Sequence, residues 1–124
     1  MGYVKRNKMK IKPHEFAAKW IEAWNSHDLD EILSHYSDDV EVTTPMIKVA
    51  MGIDNGTIKG KEDVRQYWKA ALEKMPDLHF ELETITVSVE SIALHYKSVM
   101  EKMAIEVMFF DDSNKVNRVI AHYT

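Results

Sequence analysis

Among the titratable residues of this chain, Glu106 has the surroundings that best suit a working acid. It lies in the run Ala104-Ile105-Glu106-Val107-Met108-Phe109-Phe110, where every neighbour is apolar. Strand side chains alternate between two faces, so Glu106 shares a face with Met108 and Phe110, the one turned towards the helices. A carboxyl buried there holds its proton above the ordinary glutamate range and can serve as a general acid or hydrogen-bond donor. The competing reading is a glutamate on the solvent side, or one paired with a basic side chain. Tyr123 can join Glu106 across the last hairpin. With Ser113-Asn114 as a two-residue turn, Glu106 faces Ala121 and Tyr123 is its diagonal neighbour on the same face.

The same register points His122 away. Histidine titrates near neutral pH, so His122 is either an acid-base group at the strand's end or a residue at a subunit face. His35 adjoins Tyr36 on the second helix and is either a site residue or a helix-surface one. His14, His27 and His79 stand at helix or strand starts, and His95 is on an outward parity. None of the six histidines makes an H-x-H or H-E-x-x-H spacing, and the chain has no cysteine. A thiolate metal site, a disulfide framework and a cysteine nucleophile are therefore excluded, and no metal or other cofactor is implied. Asp38-Asp39 sits in a helix-to-strand corner, where carboxylates do turn and cap chemistry. Trp20, Trp24, Trp68, Phe80 and Tyr96 recur at helical and strand spacing, which is core patterning wherever the fold leaves no hollow.

These side chains need a scaffold, and the composition allows only one. The chain has 124 residues, 45% hydrophobic and 29% charged, enough for a single core. A net charge of −4 gives no electrostatic case for nucleic acid. No apolar run approaches membrane-spanning length, so the expectation is a soluble, cytoplasmic protein with no membrane partner. Lys5, Arg6, Lys8, Lys10 and Lys12 make residues 1–12 a basic, flexible arm, with the domain spanning 13–124. Eight methionines supply soft side chains of the kind that line variable apolar cavities.

Pro13 suits the first turn of a helix carrying Phe16, Ala17, Trp20, Ile21, Ala23 and Trp24 on one face, ending at Asn25-Ser26-His27. Asp28 with Glu31 starts a second helix with Leu29, Ile32, Leu33 and Tyr36 inward. A β-branched run follows to Thr44 and stops at Pro45. Pro45 to Gly60 carries Gly52, Asp54-Asn55-Gly56 and Gly60, which reads as a loop or ragged hairpin and a candidate flap. Lys61 to Met75 is a third helix, with Val64, Tyr67, Trp68, Ala71, Leu72 and Met75 buried and Pro76 stopping it. Sheet follows: Leu78, Phe80 and Leu82 on one parity and Ile85, Val87 and Val89 on the other predict a bulge near Glu83-Thr84. Ile92, Leu94 and Tyr96 open the next strand, a turn falls near Glu101-Lys102, and two strands separated by Asp111 to Asn114 close the chain.

Helices first and an antiparallel meander last is an α+β arrangement, with helices covering one face of a curved sheet. Val99, Ile105, Val107, Phe109 and Ile120 fall on the opposite face. They are too apolar to leave in water, so a homodimer through the sheet face is expected.

The segment WNSHDLDEILSHYSDDVEV, the GKEDVRQYW entry to the third helix, Pro76-Asp77-Leu78, and the closing AIEVMFFDD and KVNRVIAHY together resemble the SnoaL-like branch of the nuclear transport factor 2-like superfamily, from about Phe16 to the end. The resemblance implies a cone: a curved mixed sheet wrapped around N-terminal helices, with an internal pocket. It does not imply one activity, since the superfamily holds ketosteroid isomerases, polyketide cyclases, epoxide hydrolases, dehydratases and members that only bind or assemble.

In ketosteroid isomerases the base is an aspartate before the proline that ends the first strand, and here Thr44 stands there. A threonine hydroxyl cannot take a carbon-bound proton at neutral pH. The oxyanion tyrosine of the first helix corresponds to Trp20 and a supporting tyrosine to Trp68, while Tyr36 keeps its type. The protonated acid of the penultimate strand corresponds to Glu106. Polyketide cyclases of the superfamily place an acid near the chain's end, where this chain has His122-Tyr123-Thr124. Epoxide hydrolysis would need an Asp-Arg-Asp set, which Arg65 and Arg118 are not placed to supply. The expectation is therefore a small-molecule protein whose pocket is lined by Trp20, Trp24, Thr44, Met46, Trp68, Phe80, Tyr96 and Met108. It is either a lyase, isomerase or cyclase using Glu106, with Tyr123 or Tyr36 orienting an oxygen, or a binding or assembly module that holds an apolar ligand.

Overall fold

The computed structural model describes residues 10–124, so most of the basic arm read from the sequence, Lys5, Arg6 and Lys8 included, lies outside the described residues. Helix α1 (Pro13–Ser26) starts on its proline and buries Phe16, Ala17, Trp20, Ala23 and Trp24. His27, in the left-handed region at φ 61°, ends it by returning its N–H to the Trp24 carbonyl. Asp28 accepts from the Glu31 N–H at 3.2 Å and caps α2 (Leu29–Leu33).

Tyr36 is not helical, contrary to its expected place on the second helix. Ser34 and His35 form a turn, and the Val116 N–H bonds the His35 carbonyl. This draws Tyr36 into the sheet as the first residue of β1 (Tyr36–Thr43).

Pro45 to Gly60 is more ordered than a loop. Thr44 Oγ1 accepts from the Met46 N–H at 3.1 Å and caps α3 (Pro45–Met51), which Gly52 closes at φ 68°. Threonine followed by proline is a helix start, a signal that the glycines downstream mask. Gly56 then passes so near that an added Cβ would lie 2.8 Å from the Thr44 carbonyl oxygen. Beyond it β2 (Thr57–Lys59) pairs antiparallel with β1. Ile47 is the buried residue of α3.

Helix α4 (Lys61–Lys74) buries Val64 and Trp68. Strands β3 (Glu81–Val87), β4 (Ser91–Lys97), β5 (Met103–Phe110) and β6 (Val116–Tyr123) complete a six-stranded sheet ordered β2-β1-β6-β5-β4-β3, in which β1 and β6 are parallel and the other neighbours antiparallel. The expected bulge lies between Leu82 and Thr84. Since β3 is an edge strand, Leu82 and Val87 are exposed, as is Val89 beyond it, whereas Leu78 and Phe80, before the strand, are buried.

The last hairpin reaches the predicted register by another route. Its loop closes with the Asp111 N–H on the Lys115 carbonyl and Asn114 at φ 63°. A bulge between Phe109 and Phe110 then restores Glu106 opposite Ala121. Val99 does not lie on the outer face. It belongs to a 3₁₀ turn (Val99–Glu101) with Met100 and Glu101 in the left-handed region, so strand parity does not govern it and it faces the cavity described below. No helix among the described residues is long and apolar enough to cross a membrane.

Candidate functional site

Helices α1, α3 and α4 lie over the inner face of the sheet and leave a cavity of about 140 Å³. Glu106 reaches it from β5. The alternation that buries Ala104 and Met108 carries Glu106 inward as well, and its half-buried side chain lines the cavity.

Register explains its company. Tyr96 of β4 and Tyr123 of β6 both stand opposite Ala104, one from each side. Each is thus a diagonal neighbour of Glu106, and the small alanine leaves both rings room to lean over it. Tyr96 donates its hydroxyl hydrogen bond to Glu106 Oε2. Burial pushes the Glu106 carboxyl up to about 7, and the Tyr96 hydrogen bond acts in the opposite sense. No cation among the described residues contributes, so Glu106 is a buried acid and not half of an ion pair.

The surrounding tyrosines keep their protons. Tyr123, Tyr96 and Tyr67 are all raised, chiefly by burial and then by the charge of Glu106; at Tyr123 the Thr44 and Tyr96 hydroxyls oppose the rise. A carboxyl poised near neutrality, beside hydroxyls that remain donors, can exchange a proton with a ligand while a neighbouring hydroxyl binds the ligand's oxygen.

Of the other predicted lining residues, Trp24, Thr44, Met46, Trp68, Phe80 and Tyr96 border the cavity. Trp20, Tyr36 and Met108 do not. They are fully buried one layer behind it, and Trp20 Nε1 donates to the Tyr36 hydroxyl at 2.8 Å. Tyr36 is therefore packed support: its oxygen is already engaged, and burial holds its proton on. The buried indole N–H of Trp24 also acts on the Tyr36 hydroxyl, but among the described residues it makes no hydrogen bond of ordinary geometry.

Trp20 stacks on Phe80 at 5.9 Å, and Phe80 meets Tyr96 at 4.7 Å, which fixes the ring that donates to Glu106. Phe80 is itself held by Asn25, whose side-chain amide donates to the Phe80 carbonyl at 3.0 Å and accepts from its N–H at 2.7 Å. His27 Nε2 donates to the Leu78 carbonyl at 2.8 Å. This clamp was not evident in the sequence, where Asn-Ser-His reads only as a helix end.

Sequence reasoning also missed Tyr67, Ala71 and Met75 of the α4 side and Ser98, Met100 and Lys102 of the turn at the mouth. Tyr67 was legible as buried helix stripe; the turn residues carry no periodic signal. His35 sits in a turn against Phe16, with burial lowering its pKa, and borders no part of the cavity. Arg65 pairs with Asp30 at 2.9 Å, and Arg118 lies over the Phe109 ring, so neither arginine serves the site.

A profile of the SnoaL-like domain matches residues 17–124. No curated protein sequence matches the chain significantly. Among solved structures, a SnoaL-like protein of unknown function from Burkholderia thailandensis is 44% identical, with a TM-score of 0.88 over 90% of this chain and 92% of that one. IdmH from Streptomyces antibioticus, provisionally assigned as a polyketide cyclase, is 16% identical with a TM-score of 0.75 over 91% and 92%. A SnoaL-like protein from Agrobacterium tumefaciens, provisionally an isomerase, is 13% identical with a TM-score of 0.71 over 90% and 96%. The last two likenesses are of fold alone; the domain match and the close Burkholderia relative establish that this chain belongs to the SnoaL-like family.

Proposed function

We propose that the protein binds a small, largely apolar molecule bearing a carbonyl or hydroxyl oxygen and moves a proton on it, with Glu106 as the acid-base group. The observation that carries this reading is a carboxyl at about 7 in an apolar cavity, with no ion-pair partner among the described residues. On a ketone, the Glu106 carboxylate takes a proton from the carbon beside the carbonyl. The electron pair of that C–H bond becomes the C=C of an enolate, and the Tyr123 hydroxyl donates to the oxygen that gains the charge. Returning the proton to another carbon would make an isomerase, expelling a β-substituent a lyase, and closing a C–C bond a cyclase. The provisional assignments of two structural relatives, isomerase and polyketide cyclase, lie within this class.

A binding-only reading has its own support. The Thr44 hydroxyl, which accepts the capping hydrogen bond of α3, is no base for a carbon-bound proton, and among the described residues the cavity walls hold no second carboxylate and no histidine. Hydrogen-deuterium exchange beside the carbonyl of cyclohexanone, followed by NMR, separates the two. The expected result is acceleration that rises with pH, is half-maximal near pH 7, and falls by about a hundredfold or more in Glu106→Gln. Absence of acceleration, with an apolar ligand recovered from the purified protein by mass spectrometry, would give the binding-only reading the lead.

A further inference from the structure

The cavity around Glu106 is too small for most ligands. At about 140 Å³ it falls below the roughly 300–1,000 Å³ of pockets that enclose a whole drug-sized molecule. Between α3 and α4 runs a second, more open groove of about 650 Å³. Met46, Tyr67, Ala71 and Met75 border both spaces, so the groove begins where the cavity ends. Its surface is mainly apolar, with charge confined to Asp63 and Lys74. Folding leaves Met46 at 43% and Met51 at 51% exposure there, apolar surface that no other described residue covers. The residues at the junction can yield: Met46 and Met75 are flexible side chains, and α3 has Ile47 as its one buried residue, between Pro45 and Gly52.

We propose that this groove is the outer compartment of the ligand site and that the ligand is an elongated amphiphile. Its oxygen-bearing head meets Glu106, Tyr96 and Tyr123, and its saturated hydrocarbon tail passes Met46 and Tyr67 into the groove between α3 and α4. The proposal rests on the reading of Glu106 and Tyr123 as the polar end of the site. It adds a substrate class, since a compact ligand would leave the groove empty.

Full burial of a methylene strengthens binding about fourfold, and burial along an open groove about twofold. The test is a calorimetric titration of methyl ketones from butanone to dodecanone against the wild type, Ala70→Trp and Tyr123→Phe. Ala70 borders the groove and not the cavity, and is exposed on α4, so a bulky side chain there fills the groove without disturbing the core. Affinity is expected to keep rising, about twofold or more per methylene, after the cavity is full. Ala70→Trp should flatten that rise for long ketones and leave short ones unchanged, while Tyr123→Phe weakens all lengths alike.

Affinity that levels off once the cavity is filled, or that ignores Ala70→Trp, overturns the proposal. If Tyr123→Phe still weakens short ketones in that case, the reading of the polar end stands without its tail compartment. Ketones that fail to bind at any length overturn both. Light scattering in which Ala70→Trp alone turns a dimer into a monomer would instead assign the groove to a second copy of the chain, which also overturns it.

Discussion

Glu106 titrates at about 7 because burial disfavours its charge, and the hydrogen bond from Tyr96 offsets only part of that. A carboxyl whose folded pKa is raised binds more protons folded than unfolded, between its ordinary 4.5 and about 7. Across that window stability must fall as pH rises; the cost is absent below it and complete above it. Glu106→Gln stays neutral and keeps an oxygen for Tyr96. Its advantage over the wild type should therefore be small at pH 5, grow to pH 8, and reach at most about 3 kcal/mol. Thermal melts at the two pH values check this, and a difference that does not grow would remove the buried acid. Strand parity, together with the resemblance to the isomerases' protonated acid, singled out Glu106, and the hairpin register singled out Tyr123. The hydroxyl of Tyr96 escaped notice because its approach depends on Ala104 facing two tyrosines at once, which appears only when three strands are aligned.

The elements that shape the cavity are secured at their ends, and the end of α1 is the most informative. Asn25 supplies to Phe80 both hydrogen bonds that a neighbouring strand would give, in a segment just before β3 where no strand is available. Removing it leaves a part-buried N–H and carbonyl unpaired, so Asn25→Ala should cost about 2 kcal/mol in urea unfolding and loosen the wall beneath Tyr96. A cost below about 0.5 kcal/mol would mean that the packing of Phe80 is sufficient without the clamp. The long periodic elements, α1, α4 and β4 to β6, were legible because their apolar stripes repeat over several turns or alternations. α2 ended early because Tyr36 fits a strand as well as a helix, and α3 was hidden because about two turns offer too little periodicity to outweigh Gly52, Gly56 and Gly60. The mouth was illegible for a related reason: Met100 and Glu101 take left-handed conformations that neither residue type announces.

Strand β5 has a second role on its other side. Ile105, Val107 and Phe109 alternate with Glu106 and Met108, stand opposite His122, Ile120 and Arg118 of β6, and are only half-buried in the single chain. Arg118 lies 5.4 Å from the centre of the Phe109 ring, which covers one end of this face and leaves Val107 and Ile120 at its middle. We propose that two copies of the chain pair through this face. A stable pair buries about 800 Å² on each partner, and the broad outer surface of β4 to β6 is the part of the molecule where apolar side chains recur in register on neighbouring strands. Light scattering at micromolar concentration should give twice the chain mass. Val107→Asp places a charge at the middle of the face, opposite Ile120 and with its side chain turned away from the cavity; it should yield a folded monomer by circular dichroism. A monomeric wild type would remove the pairing, and a Val107→Asp protein that remains dimeric would place the interface elsewhere. The same variant tests whether the cavity needs the partner. Glu106 and Val107 are consecutive residues facing opposite sides of one strand, so a monomer that still accelerates proton exchange would show that a single chain holds the complete site.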